Sequence, residues 1–393
     1  MDPIILAQLG LLDNNIYSIV ASFVIFLLLF LLYPRMMLSQ IMWKLEKIAI
    51  ELEGMSEKSK IFMLKEISKN PDKKTRDSVS RFFEFFFIQP VSLDPLGSVQ
   101  RFDHIITAQK DRFKYFVNQV APDADEEKKA NIMMGFAAGI ALYDLTKIVR
   151  HFIELVRKNK SFQIAMILQM QMPMIESIAK SLYKGNRALA KGNPIGDGIG
   201  PLVAATLLGN QKTTEIEEDI VMGKAVVEGR NLFVLKAKGP GGRIGAPGKA
   251  VEKIINTVKI SRVISVDAAA KLEGEKTGSI AEGVGVAMGG PGVERSYIEN
   301  VVVKKNVPLD SIIVKMSQEE AITPMKKSIK DAVPEVLETI KRNVMMAKKG
   351  DNIVLVGVGN TSGVGNSKKD AKETDEWVEK NHKRLESLKK KKK

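Results

Sequence analysis

The chain is 393 residues long, 45% apolar and 27% charged, which describes a globular protein with room for two or three domains. It contains no cysteine, so disulfides, zinc–thiolate centres and thiol nucleophiles are excluded. A formal charge of +14 favours an anionic neighbour, either a membrane leaflet or nucleic acid, and the lysine run Lys389–Lys393 puts part of that charge in a tail.

The first element is Ile16–Leu32, an uncharged apolar run followed by Tyr33, Pro34 and Arg35. It is long enough to cross a hydrocarbon core and has tyrosines at both rims. Asp2 and Asp13 precede it, and Arg35, Lys44 and Lys47 follow it. The positive-inside rule then predicts a single-pass anchor in the cell membrane, N-terminus outside and the bulk of the chain cytoplasmic. Residues 1–35 form this anchor segment and residues 36–91 a juxtamembrane helical region. Within that region Leu38, Ile41, Leu45, Ile48 and Leu52 make a seam at spacings of three and four. Such a seam fits either a homodimer contact near the membrane or packing on the chain's own helices. The aromatic run Arg81–Val91 is expected to pack in a core.

Residues 92–184 read as an all-α domain, with helices at Phe102–Val120, Glu126–Lys158 and Phe162–Leu182. His104 and His151 fall here without a second ligand at metal spacing and read as structural. At about Lys184 the composition changes. Residues 185–369 hold most of the glycines and four Val/Ile-rich runs that read as buried strands: Asn231–Lys238, Arg262–Ala268, Ser311–Met316 and Asn352–Val358. Helices at Gly248–Val258 and Thr323–Met346 alternate with them, which predicts a three-layer α/β domain with ligands at the carboxyl ends of the strands. Residues 370–393 are a charged tail, and its lysines are read as attraction to anionic lipid. We predict no specific nucleic-acid reader, because neither an aromatic RNA-binding signature nor a helix-turn-helix pattern is present.

Three glycine-rich segments compete for a ligand. Gly239–Lys249 fails the P-loop spacing, since Ala250 follows Lys249 where Ser or Thr is needed. Its Gly242, Arg243, Gly245 and Lys249 precede a helix start and could bind an anion. Asp197-Gly-Ile-Gly-Pro lacks the third glycine of a dinucleotide fingerprint and follows no strand. The third segment, Gly357–Gly365, follows a strand.

The carboxylates discriminate better. Asp197 lies in the loop before an apolar helix, and Asp267 ends the strand RVISVD. Two acids at the mouth of one sheet could activate water, share a proton or bind a divalent cation. A structural alternative stands beside this: Asp197 caps the following helix and Asp267 bonds a turn. Glu282 and Glu294 are the acids placed to assist or to complete a cation site.

Residues 192–205, GNPIGDGIGPLVAA, resemble the signature of the hydrogenase-maturation endopeptidases, and equally the acidic loop of the spore germination protease. The strand VISVDAAA resembles the second acidic strand of that superfamily, and Gly283–Val293 its later glycine loop. The resemblance implies that Asp197 and Asp267 match the two acids that bind metal in one branch and form a proteolytic pair in the other. The metal-binding branch adds a histidine, and residues 152–381 contain none. The strand that usually leads into the Gly-Asn loop is missing before residue 192, while Asn352–Val358 followed by Gly359-Asn360 looks like that strand displaced. A circularly permuted fold follows as an expectation, and it requires Asn352–Val358 to lie beside the strand of Asp267. Over its full length the chain resembles an archaeal, membrane-anchored family catalogued as domain of unknown function 1512. The expected function is a membrane-anchored, peptidase-like hydrolase acting on a protein or peptide through Asp197 and Asp267. The rival is a non-catalytic scaffold binding an anion or nucleotide through Arg243 and Lys249.

Overall fold

The computed structural model describes residues 16–86 and 97–391. The end of the aromatic run (residues 87–91), the first fifteen residues and the last two lysines lie outside that range. Contacts divide the chain into two units. The first combines the chain up to Met55 with Asp144–Ala179, and the second combines Ser56–Tyr143 with the chain from Lys180 onward. The helical stretch read as one middle domain is therefore shared between the two units.

The first unit is helical. Helix α1 (Ile16–Ile67) begins in it with an apolar, solvent-facing stretch that includes Phe23, Phe26, Leu29 and Phe30. Among the described residues α1 and α4 (Glu126–Asn159) are long and apolar enough to cross a membrane, but the apolar window of α4 is half buried inside the protein. Further along α1, Ile41, Leu45, Ala49 and Leu52 are buried. Arg150 of α4 donates to Glu53 at 2.7 Å and to Glu46 at 2.6 Å, tying the two helices together. The seam available for a second chain is thus covered within its own unit.

In the second unit helices pack around an aromatic cluster. Phe82 of α2 (Lys73–Phe82) stacks on Phe116 of α3 (Ser98–Val120) with centroids 3.7 Å apart, and Phe136 of α4 meets Phe116 edge-on at 5.2 Å. Of the described part of the aromatic run, Phe82, Phe83 and Phe85 belong to this core, while Arg81, Glu84 and Phe86 are exposed. Helix α5 (Phe162–Ala190) runs eight residues past the predicted end at Leu182, so the composition change at 184 falls inside a helix. Pro173 does not end it.

Beyond a short 3-10 turn (Gly196–Gly198) and α6 (Ile199–Leu208), the chain forms a seven-stranded mixed sheet in the order β1-β2-β3-β7-β4-β6-β5. The strands are β1 (Thr214–Glu217), β2 (Ile220–Val227), β3 (Arg230–Ala237), β4 (Arg262–Ala270), β5 (Ile280–Val284), β6 (Leu309–Met316) and β7 (Asn352–Gly357). The central four, β3, β7, β4 and β6, are parallel and were each legible as apolar runs. The antiparallel β1, β2 and β5 were not predicted. Their burial alternates or is slight, and glycines interrupt β2 and β5, so they lack the continuous apolar run that marks a doubly covered strand.

Two apolar layers cover the sheet. One face packs on α6, α11 (Val333–Met345) and α12 (Lys368–Lys390), through residues such as Leu202, Ile340 and Val378. The other packs on α7 (Pro247–Thr257) and α8 (Val293–Lys305), through Val251, Ile255 and Val301. The predicted helix Thr323–Met346 is interrupted: a short α9 (Gln318–Ile322) precedes it, and α10 (Lys327–Lys330) is separated from α11 ahead of Pro334. Strand β7 lies between β3 and β4, parallel to both, which meets the adjacency that a permuted order requires.

Candidate active site

Helix α6 explains why the Asp197 loop is so rich in glycine. A Cβ on Gly200 would lie 2.2 Å from the Val358 carbonyl oxygen and 2.5 Å from that of Val266. The first turn of α6 therefore rests directly on the backbone at the ends of β7 and β4, which only glycine permits. This contact holds the preceding turn, and Asp197 with it, above the carboxyl ends of the central strands. From the other side Met325 donates its N–H to the Pro194 carbonyl at 2.9 Å, and Gly196 donates to Thr323 at 3.1 Å.

The loop after β7 completes the seat. Gly359 has φ +132°, and a Cβ there would sit 2.0 Å from the Asp197 carbonyl oxygen. The next amide, Asn360 N–H, donates to Asp197 Oδ2 at 2.8 Å. Ser362 Oγ donates to the Asn193 carbonyl at 2.9 Å, and the Asn360 side chain receives the Ser362 N–H at 2.8 Å. The sequence drew attention to Gly359-Asn360 only as a displaced strand end, not as a partner of Asp197. The signal for Asn360 was a Gly-Asn pair closing a strand, although the interaction with Asp197 is made by its backbone rather than its side chain.

Asp267 stands near the end of β4 and is only 4% exposed. Its Oδ1 accepts the neighbouring Ala268 N–H at 2.6 Å. Burial, and then the charge of Asp197, push the Asp267 carboxyl well above the usual range. Burial also raises Asp197, opposed by the Asn360 N–H. Asp197 does not cap α6 through its side chain. The Asp267 carboxyl feels the charge of Asp197, and among the described residues neither acid forms a salt bridge.

Both line a cavity of about 510 Å³ at the strand ends. One wall is apolar and comes from α3 and α4: Ile106, Phe113, Met133, Met134 and Ala137. Met288 and Val293 border it from the sheet side. The Met-Met pair in α4 was not recognised as a lining, because in sequence it is indistinguishable from core filler.

The other acids of the cavity are compensated. Asp219 is met by Lys110 at 2.8 Å and by Arg243 Nε at 3.4 Å. Asp103 is met by Lys249 at 2.9 Å and by the Tyr297 hydroxyl at 3.0 Å. Glu294 accepts the Gly248 N–H at 2.6 Å, at the start of α7. The residues proposed for an anion are accordingly engaged. Arg243 is 8% exposed and donates to Glu127 at 2.6 Å, and Gly242 N–H donates to Asn131 at 2.8 Å. Gly245 lines the cavity with φ +67°. Of the two assisting acids, Glu294 lines the cavity, while Glu282 does not and bonds Arg342 at 2.9 Å and Asn343 at 2.8 Å.

Among the described residues no three His, Asp or Glu side chains come together as a metal site. With two carboxylates and no histidine, the donor set does not fit the metal-binding arrangement implied by the resemblance. A further buried group lies outside the cavity lining. Lys236, 1% exposed, donates to the Ala237 carbonyl and to Asn366 Oδ1, each at 2.8 Å, and burial pushes it down to about 7.

Family models cover most of the chain. Residues 19–192 match the N-terminal domain, and residues 195–365 the C-terminal domain, of a family described as a protein of unknown function, DUF1512. The chain belongs to this family. No curated protein and no solved structure matches it. The two matched regions meet in the loop that leads to Asp197. The acids lie in the C-terminal region and the apolar wall of the cavity in the N-terminal one.

Proposed function

We propose that this DUF1512 protein is a hydrolase of peptide bonds in which Asp197 and Asp267 form the reacting pair. The observation that carries the reading is the contrast inside one cavity: Asp103 and Asp219 are each met by a cation, Glu294 by two amides at the start of α7, and Asp197 and Asp267 by one backbone N–H each with no salt bridge. Burial of unpaired carboxyls costs stability unless they are protonated, so such a pair fits a site kept for chemistry. Asp267 is raised by both burial and its neighbour, which makes it the member that keeps a proton. Asp197, supported by the Asn360 N–H, is the base.

In the reaction that follows, Asp197 takes a proton from water as the water oxygen bonds to the scissile carbonyl carbon. Asp267 passes its proton to the carbonyl oxygen, giving a gem-diol. Asp197 then protonates the leaving nitrogen, the C–N bond breaks, and Asp267 recovers a proton from the diol. The sum is amide plus water giving acid plus amine.

The maturation-protease type of fold, in a permuted order, belongs to the same reading. Its support is that the Gly359-Asn360 pair, arriving from β7, touches Asp197 where the superfamily would use a preceding strand and a Gly-Asn loop. We also infer a single-pass membrane anchor with the N-terminus outside, supported by the exposed apolar start of α1 and by the basic residues after it. The protein has no cysteine, so Ser39→Cys alone can report sidedness in intact cells: resistance to an impermeant maleimide is expected, and ready labelling would reverse the orientation.

The rival anion-binding reading loses its donors, since Arg243, Lys249 and the α7 amides are already bonded to Glu127, Asp219, Asp103 and Glu294. The hydrolase is tested by incubating detergent-solubilised full-length protein with a peptide library and reading new termini by mass spectrometry. Cleavage by the parent that is lost in Asp267→Asn is expected. Cleavage that persists in a folded Asp267→Asn protein excludes the pair.

A further inference from the structure

The two edges of the sheet are treated differently. Strand β1 is four residues long, carries two glutamates, is kinked by a register shift between Glu215 and Glu217, and ties Glu215 to Lys238 at 2.8 Å. Those are the devices that discourage another strand from adding to an edge. Strand β5, five residues long with one glutamate, lacks the kink and the second charge. Its residues pair with β6 without a shift, it contains no lysine or proline, and its single charge is turned aside to Arg342.

The pairing pattern tells which groups face outward. Gly285 donates its N–H to Leu309, and Lys315 donates to Ser279, so residues 279, 281, 283 and 285 are the ones bonded to β6. Ile280, Glu282 and Val284 therefore turn their N–H and C=O groups to the open edge, and among the described residues β5 pairs with no second strand. Val284 is 91% exposed. Gly283 has no positive φ, and a Cβ there would meet nothing within 4 Å, so its own chain does not require a glycine. Glycine within a strand stands where a bulge, a bend or the close approach of a ligand or another backbone needs it, and the open space at Gly283 leaves room for the last.

This edge is continuous with the acid cavity. A second hollow of about 240 Å³ runs along Glu282–Ala287 beside Arg295 and Ser311. The following residues, Met288–Glu294, line the cavity that holds Asp197 and Asp267. Open space also surrounds Gly285, Gly289, Gly290 and Gly292 on this connecting loop. In register, Asp267 lies opposite Ile313, which lies opposite Ala281. A strand added outside β5 would thus run about 14 Å from β4, a distance spanned by about four to five extended residues.

We propose that β5 is the recruiting edge for an extended segment of a polypeptide substrate, which adds to the sheet as an eighth strand and then crosses the glycine loop into the cavity. The proposal rests on the hydrolase reading for what happens in the cavity, but not for the binding itself. The substrate is then a protein or a peptide of at least about seven to ten residues, since the edge takes about three to five residues and the crossing about four to five. Di- and tripeptides cannot reach both places. A second copy of this chain fits the edge less well, because an antiparallel self-pairing centred on Glu282 would set like charges opposite each other.

The test measures binding of a fluorescent peptide of alternating valine and threonine, about ten residues long, to full-length Asp267→Asn protein in detergent. Val284→Pro removes one outward N–H and leaves the bonds to β6 in place, whereas Val284→Thr retains that N–H. At least a tenfold loss of affinity with Val284→Pro, and less than twofold with Val284→Thr, is expected. If Val284→Pro does not fold, the same peptide with N-methylated amides on alternate residues, offered to the Asp267→Asn protein with Val284 intact, must show the loss instead. Unchanged affinity in these arms overturns the proposal, as does a dimer of the parent that Val284→Pro dissolves. Binding as expected without any cleavage by the parent would end the hydrolase reading and leave the edge standing. Cleavage of the same peptide unaffected by Val284→Pro would do the reverse.

Discussion

The Arg243 corner of the cavity and the Asp197–Asp267 corner use the same kinds of residue to opposite ends. At the first, a guanidinium that is almost fully buried bonds Glu127, lies 3.4 Å from Asp219 and is joined by Lys110 and Asn131, so that charge and hydrogen-bonding capacity are met from several elements. At the second, two carboxyls face the same hollow with one backbone N–H each. A compensated cluster resists change and orders the loops around it. An uncompensated one is held in place by its surroundings and stays available to a ligand. Sequence motifs drew attention to both corners equally; counter-charges separate them.

The comparison can be broken most sharply at Asp267. Removing the proton-holding member should lower hydrolysis roughly 10²–10⁴-fold, the range for a general acid or base. An Arg243→Ala variant with similarly lost turnover and undiminished stability would erase the distinction. The second expectation concerns that arginine: Arg243→Ala leaves Glu127 and Asp219 without their shared cation and should destabilise the fold by about 3 kcal/mol in chemical denaturation.

Third, the acid pair should cost stability where the arginine corner supplies it. Because the Asp267 carboxyl is raised in the folded protein, the native state holds a proton that the unfolded chain releases. Stability is then unaffected below the ordinary aspartate range and falls as pH rises from that range through the folded value. Asp267→Asn should remove that fall and stabilise the protein at neutral pH by on the order of 1 kcal/mol. Thermal unfolding at a series of pH values checks the sign. A smaller effect is expected at Glu294, whose carboxylate caps α7: Glu294→Ala should lose about 1 kcal/mol or less. The smallest effect on stability belongs to Glu282, whose exposed pairing with Arg342 is worth about 0.5 kcal/mol in chemical denaturation.

How far the sequence carried can be argued from the same residues. Asp197 and Asp267 were legible because a carboxylate at a strand end and one in a glycine loop before a helix are both local patterns. The four parallel strands were legible for the same reason, each being a short run of Val, Ile and Leu. The partners of Arg243 were not. Glu127 and Asp219 lie 116 and 24 residues away in the chain, on different elements, and no local pattern joins them. The predicted anion loop was therefore read as a cluster of donors without its acceptors. The apolar wall was hidden similarly, since Met133 and Met134 become a lining only through the way α4 meets the sheet. The seam at Leu38–Leu52 had two readings from spacing alone; Ile41, Leu45 and Leu52 are buried within the first unit, beside the Arg150 ion pairs.

Direct observation of the proton is the most decisive measurement. With the aspartate carboxyl carbons labelled, NMR titration of the full-length protein in detergent can follow Asp267 by its absence in Asp267→Asn. One carboxyl should titrate well above the usual aspartate range and move partway down in Asp197→Asn, because burial persists while the neighbouring charge is gone. If Asp197 and Asp267 both titrate as ordinary surface aspartates, the uncompensated pair does not exist and the proposed chemistry goes with it.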